Sequence, residues 1–312
     1  MDSHELVQLR TSLSRVLAIG NGKGGSYKTT LAANLAGLAA DSGMRVLVAD
    51  LDPQGNLSEE LGLTQTGRDE NGGEALFDAI ARGKPLSPSH PNVRDNLDLV
   101  AADQINTAAL ASWLSSTMGG NRDAVFALAR ALQPVADQYS LIVLDLPPGN
   151  EPLIKAAMTA AQYLVIPTQA DISSIKGMRA MGRRFAEARA GDNPDLELLG
   201  IVAVGIPDAA KALRKDTIKA IQAAFGGNAP MFDTIIRHAI APAVDARNRG
   251  LLVHELEAFV PTQAEALARL RERAAGADVE RAVSSTAKKL AADFAGITEE
   301  IFAAIAQRES SA

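Results

Sequence analysis

Short apolar runs alternate along the chain with segments in which hydrophobic residues recur at helical spacing. The apolar runs predict strands at residues 16–19, 46–49, 141–144, 163–166 and 198–204. Between the first two strands, residues 29–40 place Leu31, Leu35 and Leu38 on one face of a helix. Continuously apolar strands that alternate with helices are typical of an α/β fold. We therefore predict a doubly wound, mostly parallel sheet with helices on both faces.

Length and composition limit the domain organisation and the chemistry. The 312 residues are 47% hydrophobic, and they contain no convincing repeat or long low-complexity linker. We predict a tail at residues 1–14, which could be disordered, and a single domain at residues 15–312 with a helical C-terminal extension. Surface loops are expected at residues 64–73 and 83–92, and a break at residues 274–279. The absence of cysteine excludes disulfides, thiolate metal sites and cysteine nucleophiles.

Net charge and apolar length bear on the partners. The net charge is −6, so contact with nucleic acid would need a local basic patch. The N-terminus has no apolar signal core, and no apolar run is long enough to span a bilayer. The last helical segment carries Phe294, Ile297 and Ile301 on one side, but Glu299 and Glu300 among its polar positions. A membrane-surface helix would carry Lys and Arg there, so we expect this helix to pack on the core, with no membrane partner.

A glycine-rich stretch, NGKGGSYKTT at residues 21–30, follows the first predicted strand. It nearly fits the phosphate-loop pattern G-x-x-x-x-G-K-[ST], since Gly22, Lys28 and Thr29 are in register and Tyr27 replaces a glycine. In such a loop the backbone N–H groups face the phosphates, the lysine reaches the β- and γ-phosphates, and the hydroxyl holds Mg²⁺. Tyr27 keeps its N–H group, so we expect nucleotide binding to persist. Its side chain must point to solvent, the base or a partner.

Two aspartates follow predicted strands and would meet the loop at the carboxyl edge of the sheet. Asp50 ends the second strand, and Asp145 ends the run LIVLD. Four apolar residues and an acid are typical of a Walker B strand, whose carboxylate orders water on Mg²⁺. The alternative for Asp145 is an aspartate that caps the next turn. Its occurrence in a chain with a glycine–lysine–threonine loop favours the role of a Walker B carboxylate.

Several segments together resemble one family. KGGSYKTT at residues 23–30 is similar to a deviant Walker A motif, which carries an additional early lysine, here Lys23. VLVADLDPQGN at 46–56 and LIVLDLPPG at 141–149 resemble the next two motifs of the family, and NLDLVAA at 96–102 and VIPTQAD at 165–171 resemble later segments. The resemblance is to ParA-type DNA partition ATPases, within the wider ParA/MinD group.

The resemblance implies roles for individual residues. Lys23, Lys28 and Asp52 would be catalytic: Lys23 would cross to the nucleotide of a second subunit in an ATP-sandwich homodimer, and Asp52 would orient the attacking water. Thr29, Asp50 and Asp145 would support Mg²⁺. The implied nucleotide-binding residues are Gly22, Lys23, Gly24, Gly25, Ser26, Tyr27, Lys28, Thr29, Thr30 and Arg237. Two departures from the family are Tyr27 and the segment Ile235-Ile236-Arg237-His238, which lacks the usual proline and leaves the adenine contacts open.

The resemblance also implies partners. Family members bind double-stranded DNA without sequence preference when ATP is bound, which needs Lys and Arg contacts to phosphates. The residues favoured for this contact are Lys211, Arg214, Lys215, Lys219 and Arg237. The alternative for any such cluster is an ordinary solvated helix face. A ParB-like, centromere-bound protein would stimulate hydrolysis and release the chain from DNA. The expected location is cytoplasmic, with association to the nucleoid in the ATP-bound state.

Three other functions remain open at this level. Tyr27 could leave a nucleotide-binding switch with impaired hydrolysis. A MinD-like positioning ATPase is a second alternative, disfavoured by the acidic terminal helix. An ATP-dependent reductase or ligase on the same fold is a third, although the absence of cysteine excludes a bridging iron–sulfur cluster. Stimulation of ATP turnover by DNA would separate partition from the second and third alternatives, because fold alone does not.

Overall fold

A computed structural model describes residues 3–64, 72–207, 211–224, 229–274 and 282–310. Its strands are β1 (Val16–Ile19), β2 (Val46–Asp50), β3 (His90–Arg94), β4 (Leu97–Val100), β5 (Leu141–Asp145), β6 (Tyr163–Thr168), β7 (Glu197–Ile206) and β8 (Ile236–Arg237). They form one sheet in the order β3-β4-β2-β5-β1-β6-β7-β8. Every neighbouring pair is parallel except β3 and β4. The predicted α/β fold with a mostly parallel sheet is confirmed.

The helices of the described residues connect and cover these strands. They are α1 (Ser3–Ser12), α2 (Lys28–Asp41), α3 (Asn56–Glu60), α4 (Glu74–Arg82), α5 (Gln104–Gly120), α6 (Ala127–Ala136), α7 (Glu151–Ala160), α8 (Ile172–Ala190), α9 (Lys211–Ala224), α10 (Ile240–Arg249), α11 (Val253–Leu256), α12 (Gln263–Ala274) and α13 (Thr286–Glu309). None of these helices combines the length and the apolarity needed to cross a bilayer.

Two apolar clusters cover the two faces of the sheet. Along β1, Leu17 and Ile19 belong to one cluster, and Val16 and Ala18 belong to the other, because alternate side chains of a strand point to opposite faces. The first cluster joins the sheet to α2, α11 and α13, and the second joins it to α1 and to helices α4 to α8. As expected, Phe294 and its helical repeat on α13 are buried against the core.

The predicted strands have the right positions, and all except β1 end later than the apolar runs do. β2 and β5 each continue into the aspartate that follows, and β6 continues to Thr168. β3 lies within and beyond the segment expected to be a loop at residues 83–92. Its sequence HPNVR is polar because it forms the edge of the sheet, where Pro91 is tolerated. An edge strand of this composition has too little apolar alternation to be recognised.

The N-terminal segment corrects an expectation. Residues 3–12 form α1 instead of a disordered tail, and Leu9 and Leu13 are buried in the core. Arg10 forms an ion pair with Asp195, at 3.2 Å, ahead of β7. This segment therefore packs as part of the folded unit. Most of the expected loop at 64–73 and of the expected break at 274–279 lies outside the described residues.

Candidate nucleotide site

The candidate site lies at the carboxyl edge of the three central strands. The glycine-rich loop follows β1, and Asp145 at the end of β5 pairs in register with Ile19 of β1 and with Asp50 of β2. Because these strands are parallel neighbours, the loop and both carboxylates are brought side by side. This is the edge at which α/β sheets bind ligands.

Hydrogen bonds hold the phosphate loop in one shape. The Asn21 side chain donates to the carbonyl of Pro167 at 2.7 Å and accepts from the Lys23 N–H at 3.1 Å. The Gly22 N–H donates to the carbonyl of Gly177 on α8, and a Cβ at Gly22 would lie 2.9 Å from that oxygen. Gly22 is thus required by close packing as well as by phosphate approach. The loop is anchored on two sides before any ligand arrives.

Lys28 and Asp52 face Asp145 in the concavity of the loop. The Lys28 ammonium donates to the carbonyl of Lys23 at 3.0 Å, and the residue is 5% exposed. Burial lowers the pKa of Lys28, while the nearby charges of Asp145 and Asp52 oppose that shift. The Asp52 carboxylate accepts from the Gln54 N–H at 3.0 Å and is buried as well. The arrangement places one cation between the loop and two acids.

Asp145 has an unsatisfied carboxylate. Both of its oxygens are buried, and neither has a hydrogen bond of ordinary geometry to the described residues, although the Thr29 hydroxyl lies close enough to interact with the carboxylate. Burial raises the pKa of Asp145 to about 7, against the lowering effects of Thr29 and Lys28, which lie near it. Buried polar groups nearly always have a hydrogen-bond partner, so this carboxylate indicates a binding site for a cation or for water molecules bound to a cation.

The donor set around Asp145 fits Mg²⁺. A carboxylate and the Thr29 hydroxyl are hard oxygen donors, and Mg²⁺ typically binds one or two of these together with phosphates and water. Within the described residues no group of three His, Asp or Glu side chains could hold a metal alone. The protein would therefore contribute few ligands, and nucleotide phosphates would supply others.

Asp50 has a more structural position than the sequence predicted. Its two oxygens accept the backbone N–H groups of Asp52, at 2.8 Å, and of Leu57, at 3.1 Å. Burial, followed by the charge of Asp145, raises the pKa of Asp50. These bonds shape the turn that presents Asp52. The proposed support of Mg²⁺ by Asp50 would therefore act through Asp52 and the adjacent Asp145.

Lys23 is held by its own chain. Its ammonium donates to the Asp171 carboxylate at 2.9 Å and to the Ser174 hydroxyl at 3.2 Å. Burial alone would raise the pKa of Asp171, but the hydrogen bonds from Ser174 and Lys23 outweigh burial and lower it. Asp171 ends the VIPTQAD segment quoted above, but neither it nor Ser174 was predicted to be a site residue. An aspartate three residues before a serine at a helix start indicates a cap, and nothing in that pattern indicates a lysine partner.

A cleft of about 450 Å³ opens beside the loop. Apolar side chains of α10, including Ile240 and Val244, form one wall, and Tyr27 and Thr30 form the opposite side. The Thr30 hydroxyl donates to Glu60 at 3.0 Å, and Arg247 of α10 forms an ion pair with the same carboxylate. Sequence reasoning predicted the loop side of this cleft and missed Glu60 and the α10 wall.

Arg237, for which a nucleotide contact and a DNA contact were predicted, is paired with an acidic side chain. Its backbone N–H and its guanidinium donate to Asp293 of α13, at 2.6 to 3.0 Å, and Asp293 is 8% exposed. This bidentate pair fastens β8 to α13 and engages the guanidinium. The nucleotide and DNA contacts predicted for Arg237 stay predictions, and either contact would have to share the guanidinium with Asp293. The next residue, His238, reaches the loop and contacts Tyr27.

The predicted DNA-binding lysines are partly described. Lys215 and Lys219 lie one helical turn apart on α9, and both are exposed. The side chains of Lys211 and Arg214 lie outside the described residues. Two arginines outside α9, Arg184 and Arg247, form ion pairs with Glu151 and Glu60. The α9 stripe remains a prediction.

Comparisons with known proteins agree with this fold. The family model described as an AAA domain matches residues 14–198. The chain is 30% identical over 272 residues to the chromosome partitioning protein ParA of Caulobacter vibrioides, covering 84% of this chain and 97% of that relative. An ATP complex of McdA from Cyanothece has a TM-score of 0.70 at 21% identity, with 92% of this chain and 96% of that one covered.

A second solved structure is similar as well. Cobyrinic acid a,c-diamide synthase from Mycobacterium smegmatis, with a bound ATP analogue and magnesium, has a TM-score of 0.61 at 25% identity, covering 85% of this chain and 98% of that one. The sheet, the loop and the match to the AAA domain define a protein of the P-loop ATPase class. Within that class, the chain belongs to the family of ParA-type partition ATPases, which confirms the resemblance found in the sequence.

Proposed function

We propose that this chain binds ATP with Mg²⁺ at the phosphate loop and hydrolyses it to ADP and phosphate. The observation that carries the proposal is the buried, unpaired Asp145 carboxylate beside Thr29 and Lys28. Magnesium and its waters would satisfy this carboxylate and neutralise charge on the phosphates. The similarity to structures with bound ATP, or with an ATP analogue and magnesium, supports the same ligands.

The residues have separate tasks in this proposal. The loop N–H groups from Gly22 to Thr29 cradle the phosphates, and Lys28 binds the β- and γ-oxygens, where its charge stabilises the transition state. Asp52 orients the attacking water, for which its buried carboxylate is held by the Gln54 N–H. Positioning and charge stabilisation are the main contributions a protein makes to phosphoryl transfer.

The hydrolysis is proposed to serve DNA partition. Two chains would enclose two ATP molecules, and Lys23 of each chain would reach the nucleotide of the other. To do so, Lys23 must leave Asp171 and Ser174, so its present contacts would hold the unassembled state. The ATP-bound dimer would bind double-stranded DNA of the nucleoid without sequence preference. A ParB-like partner would then stimulate hydrolysis and release.

The first experiment is ATP hydrolysis by the purified chain with and without duplex DNA, beside a Lys28→Ala variant. Turnover that DNA stimulates, and that the variant lacks, is the expected result. Turnover that is independent of DNA would favour a positioning ATPase of the MinD kind. A native rate equal to that of Lys28→Ala would contradict hydrolysis at this loop.

A second candidate is a nucleotide switch with little hydrolysis. It is favoured by one observation, the replacement of a loop glycine by Tyr27. The backbone at Tyr27 nevertheless keeps a left-handed conformation that suits glycine, with φ 62°, which supports a competent loop. Binding of Mg²⁺–ATP without turnover, even with DNA and partner present, would decide for the switch.

A further inference from the structure

Tyr27 has a backbone conformation that its residue type disfavours. Among the described residues only three non-glycine residues have positive φ, and the other two are Asn92 and Asn96. Asparagine tolerates the left-handed region, whereas a large aromatic residue there is strained. Glycine would occupy this position without that strain. The side chain of Tyr27 must therefore have contacts that offset it.

Those contacts connect the phosphate loop to two other segments. The Tyr27 ring packs over Gly205 near the end of β7, where a Cβ would lie 3.4 Å from Cε2 of the ring. Its hydroxyl shares a hydrogen bond of 3.3 Å with Nδ1 of His238, just after β8. The side chain thus spans from the loop to a segment 211 residues further along the chain.

The segment that Tyr27 reaches continues directly into the wall of the cleft. His238 is anchored from the other side, because its N–H donates to the carbonyl of Ile206 at 3.0 Å. The next two residues, Ala239 and Ile240, line the cleft opposite Thr30. Ile240 is 66% exposed, so little else covers this wall. The contact between Tyr27 and His238 therefore joins the loop to the start of this wall, whereas the contacts of Thr30 and Arg247 with Glu60 join the loop to its far end.

We propose that Tyr27 is a positioning residue that fastens the phosphate loop to residues 238–240, so that the apolar wall is in place before a nucleotide base enters the cleft. The proposal rests on the proposed function in one respect, namely that this cleft receives a nucleotide. It predicts that the phosphates and the base are bound by different parts of the protein. Binding of the phosphates depends on the loop backbone, whereas binding of the base depends on the fastening.

A first experiment tests the fastening without any ligand. Amide hydrogen exchange at residues 236–240 is measured in the native chain and in the Tyr27→Phe and His238→Ala variants. Either variant is expected to raise exchange there several-fold, because local opening is no longer restrained. Tyr163→Phe serves as the matched control, since Tyr163 begins β6 and its hydroxyl lies near Glu197 and Glu309, away from the cleft. Unchanged exchange in both variants would overturn the fastening.

A second experiment separates the base from the phosphates. Affinities for Mg²⁺–ATP and for Mg²⁺–tripolyphosphate are measured in the same variants by calorimetry. We expect ATP affinity to fall about three- to tenfold, the worth of one neutral hydrogen bond, while tripolyphosphate affinity stays unchanged. The double variant should lose no more than either single one. Equal losses for both ligands would show that Tyr27 acts on the phosphates and would overturn the positioning role.

The two experiments also distinguish this proposal from the proposed function. A native chain that binds neither ligand, with exchange still raised in the variants, would leave the fastening in place and reject the nucleotide site. A chain that binds both ligands equally in all variants would keep the site and reject the role of Tyr27. If Tyr27→Phe is poorly folded, the results for His238→Ala in both experiments are sufficient to test the proposal.

Discussion

The charge of Asp145 is the residue-scale feature with the most direct consequence. Burial raises its pKa to about 7, well above the ordinary value for an aspartate. Below about pH 3 the group is neutral in both folded and unfolded chains. As pH rises toward 7, the unfolded chain loses the proton and the folded chain retains it, so folding stability falls. The free chain therefore becomes less stable across this window because of Asp145.

This linkage gives a prediction for Asp145→Asn. Without magnesium and nucleotide, the variant is expected to exceed the native chain in stability by on the order of 1–4 kcal/mol at pH 8, and by much less at pH 5. Urea unfolding at both pH values measures the difference. Asp216→Asn, at an exposed site on α9, should show no such change with pH. A difference that is equal at pH 5 and pH 8 would contradict the assignment.

Individual site residues differ in how far the sequence could predict them. Lys28, Asp52 and Asp145 were predicted because each lies in a local motif at a strand end. His238, Glu60 and Asp171 were not, because their roles depend on approach to residues far away in the sequence. The pairing of Arg237 with Asp293 was missed for a related reason. A basic residue near a motif indicates an available charge, but only packing reveals that Asp293 engages it.

At the scale of elements, Arg237 and Asp293 join β8 to α13. Breaking a buried pair leaves an uncompensated charge, so Arg237→Gln is expected to destabilise the chain by roughly 2–4 kcal/mol. Asp293→Asn should have a similar effect, and the double variant should lose less than the sum. Denaturant unfolding measures all three. Nucleotide affinity is expected to stay unchanged in these variants. A loss of affinity in Arg237→Gln without destabilisation would support the predicted contact of Arg237 with nucleotide.

The elements themselves were predictable in proportion to their burial. β1, β2 and β5 lie in the centre of the sheet, so their sequences are continuously apolar and their positions were predicted within a residue. β3 is an edge strand and α1 lies on the surface of the domain, so at most one side of each element is buried. Their sequences carry only scattered apolar residues such as Val93, Leu9 and Leu13. Such weak patterns are outweighed by nearby polar residues until tertiary contacts are known.

For the whole molecule, assembly would compete with the internal contacts of Lys23. With Mg²⁺–ATP present, Asp171→Asn is expected to raise the dimerisation constant by up to about 25-fold, because each of the two chains no longer has to break a partly exposed ion pair worth up to about 1 kcal/mol. Sedimentation velocity measures the dimer fraction. Lys23→Ala should abolish the ATP-dependent dimer. If Asp171→Asn lowers the dimer fraction instead, then Asp171 contributes to the assembled interface and does not restrain Lys23.

DNA binding is the other prediction at this scale. Reversing Lys215 and Lys219 to glutamate is expected to weaken binding to random duplex DNA at least tenfold and to reduce the slope of log affinity against log salt by about 2. Fluorescence anisotropy across a salt series measures both. Reversal of Lys288 and Lys289, two exposed lysines on α13, is the matched control for net charge. Equal losses in the two double variants would indicate a general effect of charge and not a contact at α9.

The far end of α13 has a practical consequence. Its last turn is held by ion pairs of Arg15 with Glu309 and of Arg308 with Glu197. Arg15 precedes the first residue of β1, and Glu197 is the first residue of β7. The helix therefore ends near the amino ends of the strands, whereas the glycine-rich loop follows the carboxyl end of β1. A fluorescent protein fused behind α13 would emerge on that side. The movements of the chain in living cells could then be imaged with the marker clear of the cleft.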